Sequence, residues 1–223
     1  MGRLTRSEED HIKAIYGLQH AGTSAFNKDI ADRLNTKASS VTDMLKRLAE
    51  KGLVKHAPYY GASLTAKGRR HALMLVRKHR LWETFLVQRL GFGWDEVHTV
   101  AEQLEHVSSE KLIERLDEYL DHPAYDPHGD PIPDRSGQLP QRTTRPLADC
   151  AVGDRVRLAA VSDTNDSLLQ LLDAKGLAIG MVLEVVAREP FDGSLELRYG
   201  KGPTCAISAL VAGHLLIEQP ART

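Results

Sequence analysis

AFNKDIADRLNTKASSVTDMLKRLAEKGLV, residues 25–54, is the stretch that decides the fold of this chain. Its first half has the apolar spacing of a short helix, and residues 35–37 predict a tight turn. A second helix is predicted to begin at Ala38 or Ser39 and to end at Gly52, with an apolar stripe on its inner side. Two short helices joined by a tight turn are typical of a helix-turn-helix.

In a helix-turn-helix the second helix lies in the major groove of DNA and reads base edges near its N-terminus. The polar residues expected to do this are Ser39, Ser40, Thr42, Asp43 and Lys46. Residues 53–56 and 62–65 predict the two strands of a hairpin wing. The residues of the wing region expected to contact the phosphate backbone are Tyr59, Tyr60 and Lys67. The succession of helix, tight turn, helix and hairpin favours a winged-helix DNA-binding domain over a helical domain that serves only for packing.

The charge of the chain is distributed unevenly, although its formal net charge is only -1. Residues 1–80 contain 16 Lys and Arg against 7 Asp and Glu, a net of +9, whereas residues 81–223 contain 13 against 23, a net of -10. A basic N-terminal part indicates a polyanionic partner, and the acidic remainder is expected to lie away from the duplex or to bind cations. A solvated basic face is the alternative interpretation of the charge alone.

The rest of the chain predicts a helical dimerisation domain followed by a β domain. The stretches with helical spacing are 66–90, 95–105 and 109–120. From about residue 150 the period changes to two, which predicts a small β-barrel. Its predicted strands are at 155–158, 182–186, 195–198 and 204–207. We therefore expect a mostly α chain with a C-terminal β-barrel. The predicted domains are a winged helix at 1–73, a helical domain at 74–140, a linker at 141–150 and the barrel at 151–223.

Several classes of protein are disfavoured by what the sequence lacks. No apolar run reaches the roughly 18 residues of a membrane span, and the N-terminus has no signal-peptide pattern, so we expect a cytoplasmic protein without a membrane partner. Cys150 and Cys205 are too few and too far apart for a zinc ribbon or a CxxC redox site. The sequence contains no HExxH motif, and we expect neither an enzyme nor a small-molecule substrate.

The densest group of candidate metal ligands is HTVAEQLEH, residues 98–106. Because a helix advances about 100° per residue, its four polar ligands would share an arc of about 100° on one face. These four are His98, Glu102, Glu105 and His106. His79 and Glu83 form another i, i+4 pair on the preceding helix, and this repetition favours a metal site over ordinary solvated charge pairs. A ligand set of carboxylates and imidazoles without sulfur suits Mn(II) or Fe(II). It differs from the thiolate-rich ligand sets of structural zinc sites.

Six motifs, in this order, resemble the diphtheria toxin repressor family of metal-dependent regulators. They are SEEDHIKAIYGL (7–18), IADRLNTKASSVTDMLKRLAEKGLV (30–54), LTAKGRRHAL (64–73), RKHRLWETFL (77–86), WDEVHTVAEQLEHVSSE (94–110) and DPHGDPIP (126–133). The resemblance covers about residues 5–135, and the C-terminal barrel is similar to the SH3-like domain of longer members. It implies a homodimeric, metal-dependent transcriptional repressor of metal homeostasis genes that binds a palindromic double-stranded DNA operator. A winged-helix dimer regulated by an organic ligand or a partner protein is the alternative.

The resemblance also implies two metal sites per subunit. The ligands of the primary, regulatory site would be Asp10, Glu102, Glu105 and His106. Iron-responsive members commonly carry Met and Cys at the positions of Asp10 and Glu102, whereas manganese-responsive members carry Asp and Glu, as this chain does. Mn(II) is therefore favoured, although Fe(II) accepts the same ligands. Some manganese regulators have a further Glu at the position of Lys13 that supports a two-metal cluster, which this lysine disfavours.

For the ancillary site, the resemblance leaves two versions open. One version uses His79, Glu83 and His98. The other uses Asp126 and His128 with a carboxylate donated by the barrel, for which Asp163 is the candidate. Thr164 and Ser167 stand where some iron-responsive members supply a Glu and a Gln from the barrel, and this departure favours the second version.

Overall fold

The structure is a computed structural model that describes residues 4–19, 24–57, 61–200, 202 and 204–219. It divides into two compact units, which we describe separately. Unit 1 comprises Met1–His79, Glu102–Glu114 and Pro133–Leu139, and unit 2 comprises Arg80–Ala101, Arg115–Ile132 and Pro140–Thr223. Among the described residues, no helix is both long and apolar enough to cross a bilayer.

The first half of the described chain is mainly helical, and the second half contains most of the β-strands. The helices are α1 (Arg6–Leu18), α2 (Asn27–Arg33), α3 (Ala38–Glu50), α4 (Ala66–Leu90), α5 (Val97–Leu104), α6 (Glu110–Tyr119), α7 (Asp166–Ala174) and α8 (Ala209–His214), with a 3₁₀ turn at Leu147–Asp149. The strands are β1 (Val54–Ala57), β2 (Gly61–Leu64), β3 (Arg145–Pro146), β4 (Arg155–Val161), β5 (Val182–Arg188), β6 (Leu195–Arg198), β7 (Cys205–Ile207) and β8 (Leu215–Glu218). The long helix predicted at 66–90 is confirmed at both ends.

The predicted helix-turn-helix is confirmed in unit 1. α1 begins with a capping box, in which the Thr5 side chain accepts from the backbone N–H of Glu8 and the Glu8 carboxylate accepts from that of Thr5. α3 is followed by Gly52, whose φ of +69° is a left-handed conformation that glycine adopts without strain. The three helices share one apolar core. Its largest fully buried side chains include Ile12, Ile15, Ile30, Leu45 and Leu48.

The wing is an antiparallel hairpin formed by β1 and β2, which begins with the pairing of Val54 and Leu64. Both strands lie within one residue of their predicted positions. Tyr59 and Tyr60, the predicted backbone-contacting residues of the wing, lie outside the described residues. Their contact with DNA therefore stays a prediction.

An ion pair joins the start of α1 to the end of α3 within unit 1. The Lys51 ammonium lies 2.5 Å from the Glu8 carboxylate. Burial alone would raise the pKa of Glu8, but the hydrogen bonds from Lys51 and Thr5 outweigh it and hold the pKa below its ordinary value. A lowered carboxylate pKa contributes stability above the unfolded-state pKa, and this contribution is lost as the pH falls through the folded-state pKa.

We expect Glu8→Gln to lower the free energy of unfolding at about pH 7 by about 1–3 kcal/mol, the usual effect of removing a charged hydrogen-bond partner at a buried position. The deficit should shrink at a pH below the ordinary range of glutamate pKa values, where the carboxylate of the unsubstituted chain becomes protonated. Urea unfolding at both pH values measures the effect, with Glu50→Gln, an exposed change on α3, as the control. A deficit of equal size at the two pH values would contradict the role of the charge.

The C-terminal part of unit 2 is a six-stranded antiparallel sheet in the order β3-β8-β4-β5-β6-β7. The predicted β-barrel is confirmed as this sheet but not as a closed barrel, because β3 and β7 form the two edges and do not pair with each other in the described part of the chain. β3 has only two residues, and its Pro146 has no N–H with which to extend the ladder. The sheet and α7 share an apolar core. Its members include Leu158, Leu169, Leu172, Leu183 and Leu197.

A loop within residues 122–134 lies against β4 in unit 2. The backbone N–H of Val161 donates to the carbonyl of His128 at 3.0 Å. Gly129 has a φ of +87°, and a Cβ at this position would lie 2.1 Å from the carbonyl oxygen of Ala159. Glycine is therefore required for the close approach, which holds Asp126 and His128 beside the sheet.

Candidate metal centre and DNA-binding face

The exposed face of α3 carries four of the eight residues predicted to contact DNA. Ser39, Ser40, Asp43 and Lys46 are all exposed there. Asp43 and Lys46 form a 3.6 Å ion pair between two exposed side chains. Such a pair contributes little to stability, so both groups stay accessible to a ligand.

Thr42 and Lys67, two further predicted DNA contacts, hydrogen-bond within the protein. The Thr42 hydroxyl donates to the Ala38 carbonyl at 3.0 Å and accepts from the Asn27 side-chain amide at 2.9 Å. The Lys67 ammonium donates to the Lys51 carbonyl at 3.1 Å. An ammonium has three donors, so Lys67 keeps capacity for a phosphate, whereas the single proton of the Thr42 hydroxyl is committed to the helix.

Three candidate ligands of unit 1 meet where α1 approaches the turn that follows α5. Asp10, Glu105 and His106 each offer one ligand atom within 4.8 Å of the other two. His106 Nε2 lies 3.1 Å from Asp10 Oδ1 and 3.8 Å from Glu105 Oε1. Two carboxylates and an imidazole form a donor set without sulfur, and its chemistry fits Mn(II) or Fe(II).

Glu9 and burial set the electrostatics of this group. His106 Nδ1 lies 2.6 Å from Glu9 Oε2. His106 therefore lies between two carboxylates, with Nδ1 beside Glu9 and Nε2 beside Asp10. Burial raises the pKa of Asp10, and the nearby charges of His106 and Arg6 offset only part of the increase. A carboxylate that is costly to ionise in this way would gain from a bound cation.

The position of two of these ligands differs from the sequence expectation. α5 ends at Leu104, and a hydrogen bond of 3.0 Å from Val107 N to Leu104 O closes the turn that follows. Glu105 and His106 are therefore carried by this turn and not by the helical face that the spacing predicts. Glu102, the fourth predicted primary ligand, is exposed on α5 and does not belong to the group of three.

Glu105 is only 1% exposed, and its second carboxylate oxygen faces a different pair of groups. Oε2 lies 2.6 Å from the Lys13 ammonium and 2.5 Å from His79 Nδ1. Burial alone would raise the pKa of Glu105, but the hydrogen bond from His79 and the charge of Lys13 hold the pKa below its ordinary value. Glu105 is therefore an ionised, buried carboxylate whose two oxygens face different partners, Oε1 facing His106 and Oε2 facing Lys13 and His79.

A second group of candidate ligands, in unit 2, consists of the buried side chains Glu83, Asp126 and His128. His128 Nδ1 lies 4.0 Å from Glu83 Oε2 and 4.0 Å from Asp126 Oδ1. His128 Nε2 lies 2.7 Å from the Trp94 carbonyl, and because a carbonyl only accepts, Nε2 carries the proton. The lone pair of Nδ1 is thus directed toward two carboxylates, as is typical of a metal-ligating histidine.

Asp126 is a strongly perturbed carboxyl of this second group. Burial, followed by the charges of Glu83 and Asp130, raises its pKa well above the ordinary value. Arg80 opposes the increase, with its Nε 3.4 Å from Asp126 Oδ2. A proton or a bound cation would offset this unfavourable ionisation of Asp126.

The remaining predicted ancillary ligands lie on α5, on α4 and in the loop before α7. His98 Nδ1 lies 3.3 Å from Glu83 Oε1, and its side chain is half exposed. His79, one helical turn before Glu83 on α4, belongs to unit 1, where it contacts Glu105. Asp163 is exposed in the loop before α7 and does not belong to the second group.

Trp94 contacts the candidate ligand His128 in a way that the sequence does not predict. Its carbonyl fixes the proton on His128, and its ring stacks on the imidazole with centroids 6.1 Å apart and an interplanar angle of 7°. A backbone carbonyl has no sequence signature, so no motif could have indicated this partner.

Three family descriptions match the chain in succession. "Iron dependent repressor, N-terminal DNA binding domain" matches residues 3–62, and "Iron dependent repressor, metal binding and dimerisation domain" matches residues 65–134. "FeoA domain" matches residues 145–219, which include the C-terminal sheet. Together these matches extend over most of the chain.

Two related proteins match different lengths of this chain. The iron-dependent repressor IdeR of Mycobacterium tuberculosis is 38% identical over 133 residues, which are 60% of this chain and 58% of IdeR. The match thus spans little more than half of the mycobacterial protein. The diphtheria toxin repressor of Corynebacterium diphtheriae is 30% identical over 210 residues, which are 89% of this chain and 91% of that protein.

Solved structures are similar over nearly the full length. A manganese-dependent transcriptional repressor in complex with manganese has a TM-score of 0.80 and 37% identity, over 95% of this chain and 99% of that chain. ScaR with bound Cd²⁺ has a TM-score of 0.73 and 32% identity, over 95% of this chain and 99% of that chain. The chain therefore belongs to the diphtheria toxin repressor family of metal-dependent transcriptional regulators.

Proposed function

We propose that this chain is a cytoplasmic, homodimeric repressor that binds a palindromic DNA operator when a divalent metal is bound, and that it controls genes of metal uptake and homeostasis. The observation that carries the proposal is the meeting of Asp10, on the first helix of the winged-helix fold, with Glu105 and His106. A regulatory ion held by these residues would act directly on an element of the DNA-binding fold. The family descriptions of the two matched N-terminal segments support both halves of the proposal.

Mn(II) is the metal that we propose, with Fe(II) as the alternative. The donor set of Asp10, Glu105 and His106 is hard to borderline and contains no sulfur, which favours these ions. The similarity to a manganese-dependent repressor supports the choice of Mn(II). We propose Glu102 as a further ligand, because it lies on the same short segment as Glu105 and His106.

The regulatory effect follows from charge. A bound divalent cation would add positive charge where the carboxylates of Asp10 and Glu105 converge. Asp10 could then remain ionised in its half-buried position, and α1 would be held firmly against the turn that carries Glu105 and His106. Because α1 shares its apolar core with α3, a fixed α1 also fixes the recognition helix. We propose that this sets the two recognition helices of the dimer one DNA turn apart, about 34 Å.

The dimer surface that we propose belongs to the helical domain. Leu90 and Tyr119 of unit 2 are large apolar side chains that are more than half exposed. The Tyr119 ring is already ordered, with Phe85 at a centroid distance of 6.1 Å and the Arg89 guanidinium 5.1 Å from its centroid. Burial of such a surface against a second copy would remove apolar area from water.

We propose Glu83, Asp126 and His128 as ligands of the ancillary site, so that each subunit has two metal sites. The directed lone pair of His128 and the unfavourable ionisation of Asp126 support this set. His98 and Asp163 remain candidates for completing the coordination, since one lies beside Glu83 and the other on the sheet domain that packs on this loop.

We expect Asp126→Asn to remove one equivalent of bound Mn(II) per subunit, because the change eliminates a charged ligand while an amide oxygen still accepts from the backbone N–H groups of His128 and Asp130. Equilibrium dialysis against Mn(II) measures the loss. Asp130→Asn is the matched control, since this carboxylate pairs with Arg80 outside the ligand group. Equal Mn(II) content in the two variants would refute the assignment.

The proposed function is tested by DNA retardation on genomic fragments, with chelated protein and with added Mn(II), Fe(II), Zn(II) or Mg(II) in parallel. We expect retention of particular fragments with Mn(II) and release on chelation. If chelated protein binds the same fragments equally well, the helix-turn-helix interpretation survives. The metal switch does not, and an organic effector or a protein partner becomes the better hypothesis.

A further inference from the structure

The hydroxyl of Thr42 already has two partners within unit 1, although Thr42 is one of the residues predicted to contact DNA. It donates to the Ala38 carbonyl at 3.0 Å, one helical turn earlier, and accepts from the side-chain amide of Asn27 at 2.9 Å. A hydroxyl has one proton and two lone pairs. Thr42 therefore has no proton left to donate to a base, and a single lone pair remains.

The two hydrogen bonds also determine how the Thr42 side chain is oriented. A helical threonine has two common rotamers, because its Oγ1 can bond to a carbonyl of the preceding turn. The bond to Ala38 selects a rotamer of this back-bonded kind, and the bond from Asn27, at the start of α2, holds Oγ1 on the side of α2. The methyl group is consequently the part of the side chain that stays free to contact a ligand.

Thr42 is located where a base-reading side chain is expected. It is the fifth residue of α3, and its side chain is partly exposed. Ser39 lies about one turn before it and Lys46 about one turn after it, and both are exposed. Recognition helices contact base edges near their N-terminal end. A methyl group at this position would therefore face the major groove.

We propose that Thr42 is a specificity-determining residue, which recognises a thymine of the operator through contact of its methyl group with the thymine C5-methyl. This inference rests on the proposed function and deepens it, because it names a base that the recognition helix reads. In the major groove the methyl group distinguishes thymine from the other bases, and a threonine methyl is a suitable apolar partner. The acceptor atoms of guanine would need a donor, which the committed Thr42 hydroxyl does not supply.

The expected size of the effect follows from the burial of one methyl group. Removal of one such group from water corresponds to about a fourfold change in affinity. A palindromic operator would place the same thymine in each half-site. Loss of both contacts should therefore weaken binding about 16-fold, provided that the two half-sites contribute independently.

The experiment replaces thymines of the operator by deoxyuridine, which lacks the C5-methyl group and keeps the same hydrogen-bonding atoms. The probe is the shortest duplex that the DNA retardation experiment retains with Mn(II). Each thymine position is replaced in turn, in both half-sites together. Fluorescence anisotropy in saturating Mn(II), at one salt concentration, gives the ratio of the affinities for the thymine duplex and the deoxyuridine duplex.

Three variants of the full chain separate the methyl group from the hydroxyl. Thr42→Ser removes the methyl group and keeps the hydroxyl that makes both hydrogen bonds. Thr42→Val keeps a methyl group in a side chain of the same shape and removes the hydroxyl. Thr99→Ser is the matched control, because it removes the same methyl group from an exposed threonine of α5. Thermal melts establish whether each variant is folded.

We expect the unsubstituted chain to lose about 16-fold in affinity when one symmetric pair of thymines is replaced. Thr42→Ser should be insensitive to this replacement, whereas Thr42→Val and Thr99→Ser should lose as much as the unsubstituted chain. A role of Thr42 in the stability of α3 alone would change the affinity for both duplexes by the same factor. The ratio of affinities would then stay that of the unsubstituted chain.

Two results would overturn the proposal. One is a ratio in Thr42→Ser equal to that of the unsubstituted chain at every thymine position. The other is the loss of the thymine preference in folded Thr42→Val, which would assign the readout to the hydroxyl. If Thr42→Val does not fold, the comparison of Thr42→Ser with the unsubstituted chain decides the matter.

The proposed function and the Thr42 inference fail in different ways. Absence of any duplex that is retained with Mn(II) would overturn the proposed function and the inference with it. A retained duplex in which every thymine can be replaced without loss of affinity overturns the Thr42 inference alone.

Discussion

Asp10→Ala should abolish the activation of DNA binding by Mn(II) and leave the weak binding of the metal-free protein in place. Asp10 is the ligand that α1 contributes to the group with Glu105 and His106, so its removal separates metal binding from the winged-helix fold. A coupling of about 1–3 kcal/mol corresponds to an increase in affinity of roughly 5–150-fold, and the variant should lose nearly all of it. Fluorescence anisotropy with a labelled operator, at one salt concentration, gives the ratio of affinities with and without Mn(II).

Asp32→Ala is the control for this measurement. Asp32 is an exposed carboxylate on α2 of the same fold, and its loss makes the same change in net charge. Its DNA affinities with and without Mn(II) should change by the same factor, so that their ratio stays that of the unsubstituted chain. Retention of the full ratio by Asp10→Ala would mean that α1 takes no part in the switch.

Ser39→Glu should weaken operator binding by about 100-fold or more, because the new carboxylate would face phosphates or base edges, and a like-charge contact costs several kcal/mol. Ser39 is exposed in the first turn of α3, the predicted recognition helix. A negative charge near a helix N-terminus stabilises the helix, so the loss of binding cannot be attributed to unfolding. Anisotropy in saturating Mn(II) measures the change.

Ala49→Glu adds the same charge at an exposed position near the C-terminal end of α3 and serves as the matched control. It should weaken binding far less, since base contacts concentrate at the N-terminal end of a recognition helix. Thermal melts establish that both variants are folded. Comparable losses in the two variants would indicate a general effect of net charge and would contradict the predicted orientation of α3.

The N-terminal elements are predictable from the sequence because their signals are local. The turn before Ala38, the glycine at residue 52 and the run of 66–90 each define a helix boundary within a few neighbouring residues. The C-terminal sheet is harder to predict from local signals. The sequence of β8, Leu215–Glu218, does not alternate between apolar and polar residues. β8 pairs with β3 and β4, which are distant in sequence. β3 itself lies at the end of a polar, proline-containing segment that has the composition of a linker.

The candidate sites, too, can be predicted from the sequence only in part. Ligand types and the preference for hard ions follow from composition and from the family resemblance, which also names Asp10, Glu105 and His106. The surroundings of Lys13 do not, because they depend on contacts with residues far along the chain. The same holds for the ancillary site, where the proton position on His128 depends on the carbonyl of Trp94. Sequence spacing alone left the two versions of that site unresolved.

The most direct test of the central claim is the affinity for Mn(II), measured by calorimetric titration with and without saturating operator duplex. If metal and DNA bind to the same conformation, linkage requires each to tighten the other by the same factor. We predict that the duplex tightens Mn(II) binding by roughly 5–150-fold, equal to the increase in DNA affinity that Mn(II) produces. Equal Mn(II) affinities with and without DNA would show that metal binding and DNA binding are independent, and would contradict a metal-activated repressor.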